Sequence, residues 1–155
     1  MKNIQVGDPA PDFSASDPQG QPLGLADFIG KKALVLFFYP ADESPVCTRE
    51  ACAFRDAYQD FVAAGAEVIG VSGDSAASHQ KFAEHHRLPF RLISDKDGKL
   101  RKAFGVPKTL GLLPGRVSYL IDRQGTVRHL FNSQLNGEKH VTEALEVLRK
   151  LDGGA

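Results

Sequence analysis

The chain has no tryptophan, a single methionine and only two cysteines in 155 residues. Two cysteines cannot build the multi-bridge framework of a small secreted scaffold. Its 19 basic and 19 acidic residues cancel, which argues against nucleic acid or an anionic membrane as the main partner. No stretch approaches the roughly 18 apolar residues of a membrane-spanning helix. The opening Met1-Lys-Asn-Ile-Gln-Val-Gly-Asp-Pro9 has neither an apolar signal core nor an arginine-rich amphipathic pattern. The expectation is a soluble cytoplasmic protein, with an organellar origin and a removed leader left open.

Nucleotide and metal chemistry are equally short of signals. There is no G-x-G-x-x-G and no phosphate-cradling glycine-rich loop ahead of a lysine. The five histidines, His79, His85, His86, His129 and His140, show no metal-ligand spacing with either cysteine. His85-His86 closes a helix, where the dipole favours a cation in any case. Neither metal nor cofactor is expected.

What the chain does have is concentrated between Phe37 and Asp56, where both cysteines lie. Ala33 to Tyr39 is a seven-residue apolar and aromatic run without helical periodicity, which suits a central strand covered on both faces. Pro40 stops it. Ser44-Pro45 then reads as a helix start, with the hydroxyl as N-cap and proline where a missing N–H is harmless. Cys47 falls in the first helical turn. Free backbone N–H groups and the positive end of the helix dipole stabilise a thiolate there, and an ordinary thiol is only a few per cent ionised at neutral pH. From counts alone, two cysteines are more often inert buried residues. Position favours a reactive thiol.

Cys47, Ala51, Phe54, Tyr58 and Phe61 recur at helical spacing and form an apolar face. Cys52 lies with Arg55, Asp56, Gln59 and Asp60 on the polar side. Helical positions five apart have Cα atoms about 8.6 Å from each other, whereas a disulfide tolerates at most about 7 Å. A Cys47–Cys52 bond therefore requires the first turns of the helix to unwind, and such a bond is strained and reducible.

The remaining elements follow in order. Asp12 to Ser16 and Leu23 to Leu25 read as a hairpin, and Ala26 to Ile29 as a helical turn. The cysteine helix ends near Gly65, Ala66 to Val71 is a second buried strand, and Ser75 caps a helix to His86. Pro89 to Ser94 is a short strand, Asp97 to Phe104 a short helix, and Gly105 to Gly115 a loop. Val117 to Asp122 and Val127 to Phe131 form a hairpin, Gly137 to Leu151 is an amphipathic closing helix, and the final Asp-Gly-Gly-Ala is disorder-prone. The pattern is one α/β domain over residues 1–155, with a mixed sheet of parallel crossovers and a terminal antiparallel hairpin.

Pro40-x-x-x-Ser44-x-x-Cys47 resembles the Pro-x-x-x-Thr/Ser-x-x-Cys signature of peroxiredoxins. Cys47-Thr-Arg-Glu-Ala-Cys52 is similar to the bacterioferritin comigratory protein or peroxiredoxin Q subfamily. The resemblance runs from about Val6 to Leu151 and implies a thioredoxin-like sandwich, a central mixed β-sheet flanked by helices, with an N-terminal β-hairpin extension. It further implies that Cys47 is the peroxidatic nucleophile and Cys52 the resolving cysteine. The Ser44 hydroxyl would hydrogen-bond the thiolate or peroxide, and Pro40 would shield the pocket. Gly115-Arg-Val-Ser-Tyr-Leu-Ile-Asp122 matches the family's late-strand arginine pattern, which assigns Arg116 as the cation on the departing oxygen. Glu50 would orient Arg116. Substrates would be hydrogen peroxide and organic hydroperoxides, the reductant thioredoxin or a glutaredoxin, and the protein a monomer.

Ser44 stands where threonine is more frequent in that family and Val46 where many relatives carry glycine, changes that bear on peroxide preference. Gly111-Leu-Leu-Pro-Gly115 resembles an apolar rim of the subfamily. The competing reading is a non-peroxidase thioredoxin-fold module, either a thiol-disulfide relay or a metal handler. Four residues between the cysteines fit it poorly, because disulfide exchangers carry two and copper chaperones three.

Overall fold

A computed structural model describes residues 4–17, 19–106, 116–132 and 137–153. Along the chain run β1 (Ser14–Ser16), β2 (Pro22–Gly24), a 3-10 turn (Leu25–Asp27), β3 (Ala33–Phe38) and α1 (Pro45–Ala63). There follow β4 (Ala66–Ser72), α2 (Ala76–His86), β5 (Arg91–Ser94), α3 (Lys99–Phe104), β6 (Val117–Ile121), β7 (Val127–Asn132) and α4 (Gly137–Gly153). The five-stranded sheet has the order β5-β4-β3-β6-β7, and β1 and β2 form a separate two-stranded antiparallel hairpin. β4 is parallel to β3 and β5, while β6 is antiparallel to β3 and β7. This is the mixed, helix-flanked thioredoxin-like sheet expected from the sequence.

β3 is central because every one of its side chains is buried. Its alternating faces feed two cores. Val35, Phe37 and Tyr39 join Phe54, Phe61, Phe82 and Leu148 beneath the helices. Leu34, Leu36 and Phe38 join Ile69, Val71, Phe104 and Tyr119 on the opposite side. The Phe37 and Phe54 rings stack at 4.4 Å with an 18° interplanar angle, which seats α1 on the sheet. Gly70 lies opposite Phe37 in the β3–β4 register. A Cβ there would come within 2.8 Å of both the Phe37 ring and Leu92, so the absent side chain leaves the space that the stack fills.

Element boundaries differ from the sequence reading for local reasons. β1 is three residues, shorter than the expected Asp12 to Ser16, and β2 is the expected three residues long but begins at Pro22 instead of Leu23. α3 starts at Lys99 rather than Asp97, because Asp95 accepts from the Leu100 and Arg101 amides at 2.9 and 3.0 Å and Gly98 turns the chain at φ 73°. α4 continues to Gly153, two residues past Leu151. Most of the expected Gly105 to Gly115 loop lies outside the described residues.

Candidate active site

Tyr39 still donates its amide to the Val71 carbonyl at 3.0 Å, so the chain leaves the sheet only at Pro40. The loop to Ser44 is fastened from below by Asp42. The Asp42 amide donates to Asp74 Oδ2 at 2.8 Å, and its carboxylate accepts from Tyr39 Oη at 2.6 Å and Ser78 Oγ at 2.7 Å. His79, fully buried, completes the network, with Nδ1 2.8 Å from Asp42 Oδ2 and Nε2 3.0 Å from the Ile93 carbonyl. A carbonyl only accepts, so Nε2 carries a proton. Burial alone would raise the Asp42 pKa, but hydrogen bonds from His79, Tyr39 and Ser78 outweigh it and hold the carboxyl below its ordinary value.

Ser44 is the N-cap residue of α1, with φ −70° and ψ 149°, and Pro45 takes the first helical position. The N-cap bond expected from the sequence is not made. The Ser44 hydroxyl caps no amide, and instead donates to the Ala41 carbonyl at 3.0 Å. The short turn from Ala41 to Ser44 offers that carbonyl closer to hand than the helix amides. The donor is thus committed to the loop, and the oxygen keeps its capacity to accept.

Cys47 sits in the first turn of α1, 1% exposed. Its partner comes from the far end of the chain. In the β3–β6 register Val117 lies opposite Phe38, so Arg116 emerges at the same sheet edge from which α1 begins. Arg116 Nη2 donates to Cys47 Sγ at 3.0 Å, and Nη1 donates to Glu50 Oε1 at 2.7 Å. Cys47 and Glu50 share an inward face of α1 because residues three apart lie side by side. A charge-assisted N–H on the sulfur stabilises negative charge there.

Glu50 is fully buried, and desolvation, only partly offset by Arg116, pushes its pKa up to about 8. Its Oε2 has no hydrogen-bond partner and lies 3.5 Å from His140 Nδ1. Such an orphaned oxygen fits a carboxyl that keeps its proton at neutral pH. With that proton in place Glu50 accepts the Arg116 N–H without neutralising the guanidinium charge. His140, also buried, is tied to Ser118 Oγ at 2.6 Å and links α4 to the floor of the site.

The fold therefore joins Cys47, Arg116 and Glu50 directly, with Ser44 and Pro40 on the flanking loop. Cys52 is half-buried two turns along an intact α1, and both cysteines are free thiols. The expected rim at Gly111 to Gly115 lies outside the described residues. Sequence reasoning missed Arg101, whose Nη2 donates to the Tyr39 carbonyl at 2.8 Å just before the active-site loop. It also missed the Asp42–His79 network and His140. None of these carries a local motif, since their partners lie tens of residues away.

A thioredoxin-like sheet with a buried, arginine-bound thiol in the first turn of a helix defines a redox protein that works through cysteine. The chain belongs to the AhpC/TSA family, whose model matches residues 6–130. It is 50% identical over 149 residues to peroxiredoxin Q of Triticum aestivum, a chloroplastic protein, covering 96% of this chain and 68% of that one. The Arabidopsis thaliana peroxiredoxin Q, also chloroplastic, is 50% identical over 147 residues, 94% of this chain and 68% of its own. Among solved structures, peroxidoxin BcpB of Mycobacterium tuberculosis superposes with a TM-score of 0.88 at 36% identity, over 96% of this chain and 99% of the other. The Xanthomonas campestris bacterioferritin comigratory protein, which has alkyl peroxide reduction activity, gives 0.84 at 28% identity, over 96% and 98%. The resemblance and fold read from the sequence are borne out, and the relay or metal-handling alternative is not favoured.

Proposed function

We propose that the chain is a thiol-dependent peroxidase that reduces hydrogen peroxide and organic hydroperoxides with Cys47 as nucleophile. The observation that carries this reading is the 3.0 Å hydrogen bond from Arg116 to the Cys47 sulfur at the start of α1. Family membership and the alkyl peroxide reduction of the Xanthomonas relative support it. The thiolate attacks one peroxide oxygen, the O–O bond breaks, and Cys47 becomes a sulfenic acid while an alkoxide or hydroxide departs and takes a proton. Arg116 and the free N–H groups of the first turn stabilise the departing oxygen. The Ser44 oxygen, its own proton directed at Ala41, accepts from the peroxide O–H.

Cys52 resolves the cycle. Its sulfur attacks the Cys47 sulfenic sulfur, water leaves, and an intramolecular disulfide forms after the first turns of α1 unwind. Thioredoxin or a glutaredoxin then reduces the bond, so the chemistry needs no cofactor beyond the two thiols. With the resolving cysteine in the same chain, a monomer spanning residues 1–155 as one domain suffices. A reducing compartment is required, and the cytoplasm supplies one.

Peroxide consumption with thioredoxin, thioredoxin reductase and NADPH tests the assignment. Cys47→Ser abolishes turnover, whereas Cys52→Ser permits one stoichiometric oxidation that thioredoxin cannot recycle. A wild-type chain that consumes no peroxide with any dithiol would refute the reading.

A further inference from the structure

Glu43 lies in the loop before α1, and His85 and His86 end α2, 42 and 43 residues further on. The fold brings them together. Glu43 Oε2 lies 2.9 Å from His85 Nδ1, and Oε1 lies 2.8 Å from His86 Nε2, so one carboxylate takes an imidazole on each oxygen. The two rings lie with their centroids 4.2 Å apart. One ligand atom from each residue falls within 4.8 Å of the others. A tetrahedral zinc ion bound at about 2.0–2.2 Å needs its donors roughly 3.3 Å apart. Small rotations close that gap, because Glu43 and His85 side chains are 47% and 67% exposed.

Two further observations mark the cluster as built. Glu43 is one of two non-glycine residues with positive φ among those described, at 64°. This left-handed conformation is unfavourable for glutamate, and it is the residue that presents its carboxylate to α2. Arg55 Nη1 also donates to the His86 carbonyl at 2.8 Å, which locks the end of α2 against α1. The C-terminal end of the α2 dipole adds a field that welcomes a cation.

We propose that Glu43, His85 and His86 form a binding site for a zinc-type divalent cation, with water completing the coordination. Two imidazoles and a carboxylate select such a metal over calcium or magnesium, which prefer oxygen-only shells. The ion ties the loop carrying Pro40 and Ser44 to α2. Since Cys47 reaches Cys52 only when the start of α1 unwinds, the bound ion slows disulfide closure. That consequence rests on the peroxidase reading, whereas the binding does not. The sequence reading expected no metal because it sought histidine spacing relative to the cysteines, and these ligands meet only through folding.

The binding is tested on the full chain carrying Cys47→Ser and Cys52→Ser, which removes thiolates that would themselves take zinc. After EDTA treatment and desalting, calorimetric titration with zinc chloride gives a single bound ion. Adding Glu43→Gln, at a side chain 47% exposed, or His86→Asn, at one 16% exposed, abolishes it. Absence of binding, or binding that persists in those variants, overturns the site. In the wild-type cysteine background, quenched-flow alkylation follows disulfide closure after peroxide. Zinc slows closure there and leaves the His86→Asn chain at its zinc-free rate. Equal zinc sensitivity in both chains overturns the coupling. A chain that binds zinc but forms no disulfide with peroxide counts against the peroxidase reading alone.

Discussion

Arg116 Nη2 lies 3.0 Å from Cys47 Sγ across a sequence separation of 69 residues. The same guanidinium reaches Glu50 Oε1 at 2.7 Å with its other terminal nitrogen. The planar fork of arginine serves both partners at once, and a lysine ammonium offers one point charge on a flexible stem. Arg116→Lys therefore keeps the fold and lowers kcat/KM for peroxide by about 10²–10³, the range for losing a preorganised donor to a developing anion. Steady-state peroxide consumption reads the loss directly, and a variant with wild-type efficiency would remove Arg116 from the mechanism.

Glu50 sets a pH dependence with a definite sign. Its folded pKa is raised from 4.5 to about 8 by burial, so the native state holds this proton more tightly than the unfolded chain. The associated stability is fully present below pH 4.5 and is lost as pH rises through about 8. Glu50→Gln has no proton to lose. Urea unfolding between pH 5 and 8.5 shows wild type losing stability relative to the variant by up to a few kcal/mol. Parallel curves for the two proteins would mean that Glu50 is ionised throughout.

Asp42 holds the active-site loop to β5 and α2 through Tyr39, Ser78 and His79. Replacing it by asparagine leaves His79 buried without its carboxylate and exchanges one acceptor oxygen for a donor. Breaking a buried pair on one side costs about 3–5 kcal/mol. Asp42→Asn lowers the urea midpoint accordingly and slows oxidation of Cys47 by peroxide, because the loop that shapes the site loosens. His79→Asn on its own takes one of three hydrogen-bonding side chains from the Asp42 carboxylate, and the double variant is less destabilised than the sum of the two singles.

The seating of α1 depends on the Phe37–Phe54 stack and on the space above Gly70. Gly70→Ala places a Cβ 2.8 Å from the Phe37 ring, and overpacking of this kind costs about 1–3 kcal/mol. Phe54→Ala removes the upper ring and costs about 3–5 kcal/mol. Calorimetric melting shows both, with Phe54→Ala the larger. An unchanged melting temperature in Phe54→Ala would mean that α1 is held by other contacts.

Much of this protein was legible from the residues in order. The apolar run from Ala33 to Tyr39 marked the central strand because only a doubly covered strand uses seven buried positions without a polar face. Ser44-Pro45 marked the helix start, and from it the first-turn position of Cys47 followed by counting. The element order β-β-β-α-β-α-β-α-β-β-α agrees with the fold in full, because each strand and helix carries its own periodicity and punctuation.

Local chemistry misled where a nearby competitor was invisible. The Ser44 hydroxyl bonds to Ala41 instead of capping α1, and Asp95 starts α3 later than the apolar pattern implied. Periodicity and caps act over a few residues, so the sequence alone determined the strands, the helices and the place of Cys47 in the first turn of α1. The antiparallel register of β6 on β3, the burial that holds a proton on Glu50, and the meeting of Arg101, His140 and the Asp42–His79 pair with the site were decided only by tertiary structure. Those relations depend on sheet pairing and desolvation between segments tens of residues apart, which no local pattern encodes.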